Sequence, residues 1–193
     1  MEITEYIWEH PKFMSPQQVS AFLRFFKDLE FIPGRVVSSS SEEDSLVKDI
    51  RTVELRAFHQ ANLTSRTEAH WRNLLYKLLK NSVLHYSKNI NKFDINLKTI
   101  DELTLLKYSV GGFYRPHVDN CEKYFREVSA IILLNNDYEG GELEFWDPSI
   151  KKVIKIIKPE VGKLIMWPSN YLYPHAVKPV TKGLRYSIVS WMK

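Results

Sequence analysis

One cysteine in 193 residues, Cys121, closes off two kinds of chemistry. It has no partner for an intrachain disulfide, and it cannot build a cysteine-based zinc cluster. Long apolar runs are missing too: no stretch approaches the roughly 18 residues that signal a membrane span. The opening MEITEYIWEHPKF holds acidic residues and no apolar centre, unlike a secretory signal. The expected location is therefore cytoplasmic, with no membrane partner. Strong charge of one sign is also absent, the formal net charge being +4. The lysines of KKVIKIIKP (151–159) alternate with Val153, Ile154, Ile156 and Ile157. That pattern reads as a solvated strand face and not as a nucleic-acid groove, so no nucleic-acid partner is expected.

What is present describes a globular protein. Hydrophobic residues make up 44% of the chain and aromatic residues 13%, enough to fill the core of a single domain spanning 1–193. Residues 1–100 read as helical support with a loop. Ser15-Pro16-Gln17-Gln18 combines an N-cap serine, a proline at the first helical position and a capping-box glutamine. Val19, Phe22, Leu23, Phe26 and Leu29 then recur at helical spacing. Ser65-Arg66-Thr67-Glu68 repeats the capping box, followed by a stripe of Trp71, Leu74, Leu75, Leu78 and Leu79. Between the helices, VVSSSSEEDSLVKD (36–49) reads as an exposed loop, with a lid and a plain connection both open.

From about Leu103 the pattern changes to short runs rich in Val, Ile, Leu and Tyr, separated by turns such as Gly111-Gly112, Gly140-Gly141 and Lys182-Gly183. Eight such runs without helical crossovers indicate a sandwich or jelly roll. Within PHVDN, His117 and Asp119 stand two apart, which on a strand aims both side chains to one face. An imidazole and a carboxylate buried together are costly unless something binds them. His175, in YPHAV, supplies a third ligand. Two histidines and one carboxylate on one face of an octahedron are the set used by non-haem Fe(II) oxygenases. His10, His59, His70 and His85 read as packing or surface residues. Ten positions beyond His175, Arg185 opens an apolar strand and needs an anionic partner. The distal carboxylate of 2-oxoglutarate and an internal pair with Glu142 or Glu144 are the two readings.

The run from YSVGGFYRPHVDN through VSAIILLNND and EGGELEFWD to GKLIMWPSNYLYPHAVKPVTKGLRYSIVSWM resembles the prolyl 4-hydroxylase-like branch of the Fe(II)/2-oxoglutarate-dependent dioxygenase superfamily. The resemblance implies an α+β fold, a double-stranded β-helix (jelly roll) core with supporting N-terminal helices. It implies iron on His117, Asp119 and His175, with 2-oxoglutarate and O2 as co-substrates and ascorbate as a candidate reductant. Arg185 takes the place of the residue that binds the co-substrate, and Tyr108 that of a phenol that hydrogen-bonds it; Ser187 ranks below Tyr108. Tyr114, three before His117, falls on the opposite parity and is left out. The implied activity is hydroxylation of prolyl residues in a peptide or protein, a Pro-rich one being the partner to test, with Tyr124 and Trp146 as candidate platforms. The alternatives are hydroxylation of a free amino acid or small molecule, and a non-catalytic cupin-like binding protein. A nucleic-acid demethylase of the same superfamily carries a second arginine six positions after the first, where this chain has Trp191.

Overall fold

The computed structural model describes residues 2–36, 47–58, 63–91 and 99–193; most of the 36–49 loop, and His59, lie outside the described residues. Two antiparallel sheets face each other. The larger contains, in spatial order, β1 (Trp8–His10), β11 (Leu164–Pro168), β7 (Val128–Leu133), β14 (Arg185–Met192), β5 (Thr104–Tyr108), β4 (Glu54–Ala57) and β2 (Ile32–Pro33). The smaller runs β10 (Val153–Ile157), β9 (Leu143–Trp146), β12 (His175–Val177), β6 (Phe113–His117) and β3 (Arg51–Thr52). A two-stranded ribbon pairs β13 (Val180–Lys182) with β8 (Glu139–Gly140). This is the expected jelly roll. The N-terminal third is more than helical support, because β1, β2, β3 and β4 all extend the sheets. Runs of two to four residues such as WEH, IP and RT are too short for a period to show.

Alternation along the large sheet separates two cores. Leu105, Ala130, Ile132, Leu164, Met166 and Ile188 face the helices α1 (Pro16–Phe26) and α2 (Arg66–His85), meeting Phe22, Phe26, Leu75 and Leu79. Leu106, Tyr108, Ile131, Ile165, Trp167 and Val189 face the other way, into the space between the sheets. His10 and His85 pack, both stacking on Trp8 with ring centroids at 5.2 and 5.0 Å, whereas His70 is exposed.

The first capping box forms as expected, with reciprocal bonds between Ser15 and Gln18. The second forms by half. Ser65 accepts from the Glu68 amide, but the Glu68 carboxylate turns away to a better-satisfied place. It accepts from the Thr64 amide and hydroxyl, each at 2.8 Å, and from Arg56 on β4 at 2.8 and 3.1 Å. Glu68 is fully buried, and these bonds hold its carboxyl below the ordinary value against the opposing effect of burial. The cluster fastens α2 to the edge of the large sheet. Glu68→Ala is expected to cost about 3 kcal/mol, the lower end for a broken buried pair because Arg56 keeps some contact with water. A urea titration of the variant measures it.

Candidate metal centre and co-substrate pocket

His117 ends β6 and His175 opens β12, and the two are direct partners in the ladder. Their ring centroids lie 4.3 Å apart. Asp119 is not on the strand with His117, as the two-residue spacing suggests; it sits in the bend just beyond. The chain leaves the sheet there, with the Asn120 amide bonded to the Ser169 carbonyl. The bend brings the carboxylate between the imidazoles, Oδ1 at 3.8 Å from His117 Nε2 and Oδ2 at 3.5 Å from His175 Nε2. One ligand atom from each residue falls within 4.8 Å of the others.

Each imidazole is oriented by its own backbone. His117 Nδ1 bonds the Arg115 carbonyl at 2.8 Å, and His175 Nδ1 bonds the Tyr173 carbonyl at 3.2 Å. A carbonyl can only accept, so Nδ1 carries the proton and Nε2 turns its lone pair to the shared centre. Burial lowers the His117 pKa to about 3, and His175 adds to this against the pull of Asp119. The ring is therefore neutral and free to coordinate near pH 7. Burial works to raise the Asp119 pKa, but His175, His117 and the Ser129 hydroxyl outweigh it and hold the carboxyl below its ordinary value. Ser129 Oγ donates to Asp119 Oδ2 at 2.6 Å and meets Ser169 Oγ at 2.7 Å. Two neutral imidazoles, one carboxylate and this supporting shell are a donor set suited to Fe(II).

The centre opens into a cavity of about 390 Å³ lined also by Tyr108, Tyr114, Arg51, Arg126 and Trp191. Tyr114 belongs to the site although alternation excludes it. The β6–β12 register shifts between the Val177–Tyr114 and His175–His117 pairs. That bulge resets the parity, and Tyr114 stacks on His117 at 3.5 Å. Tyr124 lines the same cavity, whereas Trp146 does not. Ser129, Arg51 and Arg126 have no sequence signal of their own, since only the register of the sheets brings them to the site.

Arg185 lies just behind the cavity wall, paired in register with Tyr108 and 5.1 Å from its ring. It is 1% exposed. Nη1 donates to Ser187 Oγ at 2.9 Å and the Tyr138 phenol lies beside the guanidinium, but Nε and Nη2 have no geometrically formed hydrogen bond among the described residues. The internal ion pair does not form: Glu144 turns to Lys178 at 3.8 Å, and Glu142 Oε2 is itself without a partner. Gly141 makes room for the arginine, since a Cβ there would sit 2.9 Å from Arg185 Cδ. A buried guanidinium with two unused donor nitrogens is a costly feature that a bidentate carboxylate would relieve.

Two facing antiparallel sheets with two histidines and an aspartate converging between them define a jelly-roll protein whose inner space holds a set of side chains able to bind a metal ion. Residues 103–193 match the 2OG-Fe(II) oxygenase superfamily. Human prolyl 3-hydroxylase 2 is 40% identical over 81 residues, which cover 39% of this chain and 11% of that protein. Rat prolyl 3-hydroxylase 1 is 35% identical over 89 residues, 39% of this chain and 12% of its own. The match thus spans about a tenth of the length of these curated relatives. Among solved structures, a Trichoplax adhaerens prolyl hydroxylase in complex with a hypoxia inducible factor peptide superposes with a TM-score of 0.76 at 20% identity, covering 98% of this chain and 84% of that one. A Pseudomonas putida prolyl-4-hydroxylase gives 0.70 at 20% identity, covering 97% and 92%.

Proposed function

We propose that the protein is an Fe(II)- and 2-oxoglutarate-dependent hydroxylase acting on prolyl residues of a peptide or protein. The observation that carries the reading is the placing of two unmet demands in one barrel. Three ligand atoms converge on one point, and a buried guanidinium nearby has two nitrogens without partners. The names of the relatives support the prolyl substrate, as does the neighbour holding a peptide.

His117, Asp119 and His175 would hold the iron. Once bound, iron supplies a centre at which 2-oxoglutarate and O2 are activated together to oxidise a C–H bond. The remaining work falls to the chain's own residues. Arg185 receives the distal carboxylate through Nε and Nη2, while Ser187 fixes its third nitrogen and Tyr108 covers one side. The backbone carbonyls of Arg115 and Tyr173 keep the imidazoles in the coordinating tautomer. Ser129 orients the Asp119 carboxylate. Buried Ile131, Val177 and Val189 line the inner wall and exclude water from the reacting centre.

The test offers Pro-rich peptides and free L-proline with Fe(II) and 2-oxoglutarate, and measures succinate and hydroxyproline. Iron-dependent succinate with hydroxyproline in the peptide is expected. Oxidation of an unrelated small molecule alone would end the prolyl assignment. Absence of succinate under every condition would leave a binding module.

A further inference from the structure

The two histidines of the centre are supported unequally. The His175 side chain is 5% exposed and boxed in by aromatic rings, Trp167 at 4.9 Å edge-on and Phe145 at 6.0 Å. The His117 side chain is 18% exposed, and among the described residues its one close aromatic partner beyond His175 is Tyr114, nearly parallel at 20°. Tyr114 is covered in turn. The imidazole stacks on the phenol ring at 3.5 Å, and the Arg51 guanidinium also packs against that ring, 4.6 Å from its centroid. Imidazole and guanidinium thus both pack on the phenol, and each contact is favourable.

Arg51 sits on β3, the two-residue strand at the end of the small sheet, paired with Tyr114 and Thr52 with Phe113. Its Nη1 donates to the Arg35 carbonyl at 3.0 Å, and the Arg115 amide donates to the Ile50 carbonyl at 2.9 Å. The Arg115 carbonyl is the acceptor for His117 Nδ1. Both restraints on the His117 ring, the hydrogen bond and the stack, therefore run through contacts with the 47–52 segment.

We propose that Tyr114 and Arg51 are positioning residues for His117, and that seating of the β3 edge strand and occupation of the metal site reinforce each other. This rests on the metal-site reading above. Coupling of this kind is reciprocal: if the seated strand strengthens metal binding, the metal must steady the strand.

Co(II) serves as the probe, because its affinity and its visible absorption report ligand geometry without turnover. Tyr114→Ala is expected to weaken Co(II) binding roughly tenfold or more, the scale of losing an outer-shell partner. Tyr114→Phe, which keeps the flat ring, should bind like wild type with an unchanged spectrum. Arg51→Gln should fall between them, with the melting temperature of the metal-free protein unchanged. Amide exchange in 47–52 should slow on Co(II) addition in wild type and fail to slow in Tyr114→Ala. Equal affinity in wild type, Tyr114→Ala and Arg51→Gln would overturn the proposal. Equal losses in Tyr114→Phe and Tyr114→Ala would do so as well, by placing the effect on the hydroxyl. Failure of wild type to bind Co(II) would remove the metal-site reading, and this inference with it.

Discussion

His175→Ala is expected to abolish iron retention and succinate formation while the protein remains folded. The side chain leaves a ladder position between β9 and β6, and alanine keeps every backbone bond of that ladder. The vacated space is walled by Trp167 and Phe145, so the local cost is that of a small cavity. Removing the ring also removes an opposing neighbour of His117, because His175 depresses the His117 pKa. The remaining imidazole and carboxylate provide two ligands where the site needs three. The loss should exceed the roughly 10–100-fold that follows removal of an outer-shell partner. Metal content by atomic absorption and an unfolding curve recorded together make the check. Wild-type iron content in His175→Ala would transfer the third ligand to another residue.

Arg185→Met separates stability from function. Arg185 is a buried charge with a hydroxyl, an aromatic face and, among the described residues, no carboxylate paired with it. Replacing such a charge with an apolar side chain of similar length is often neutral or stabilising. The same change removes the two donors proposed for the distal carboxylate. Two charge-assisted hydrogen bonds at about 1.5–3 kcal/mol each correspond to roughly 10²–10⁴ in affinity for 2-oxoglutarate. Arg185→Lys should be milder, since it keeps the charge and loses the fork. The expected pattern is a melting temperature at or above wild type alongside a steep rise in the 2-oxoglutarate requirement. A variant that unfolds while its co-substrate requirement stays constant would make Arg185 a structural residue.

The site was readable where chemistry and strand position agree. His117 and His175 stand out because ionisable residues interrupt otherwise strand-like sequence, and Arg185 because an apolar strand surrounds it. Two expectations fail where regular geometry meets an irregular backbone, and a third where a distant charge outcompetes a local cap. Tyr114 was excluded by counting in twos across a stretch that holds a bulge. Asp119 was placed on a strand that ends two residues earlier. Glu68 was assigned to its own helix cap, when the stronger attraction was Arg56, twelve residues back on a strand too short to show a period. Ser129 reaches Asp119 only because β7 passes beneath the bend, and no local pattern encodes that approach.

The division of labour along β14 bears on how such a protein can change over time. Arg185, Ser187, Val189 and Trp191 face the barrel interior, while Tyr186, Ile188 and Met192 face the helices. Helix-facing positions answer mainly to volume and apolarity, requirements that many residue combinations meet. Interior positions answer to a charge, a hydroxyl and the outline of a cavity, which few combinations meet. One strand therefore drifts freely at every second position and is constrained at the others. Two solved structures share this shape at only 20% identity, a tolerance that such a strand would allow.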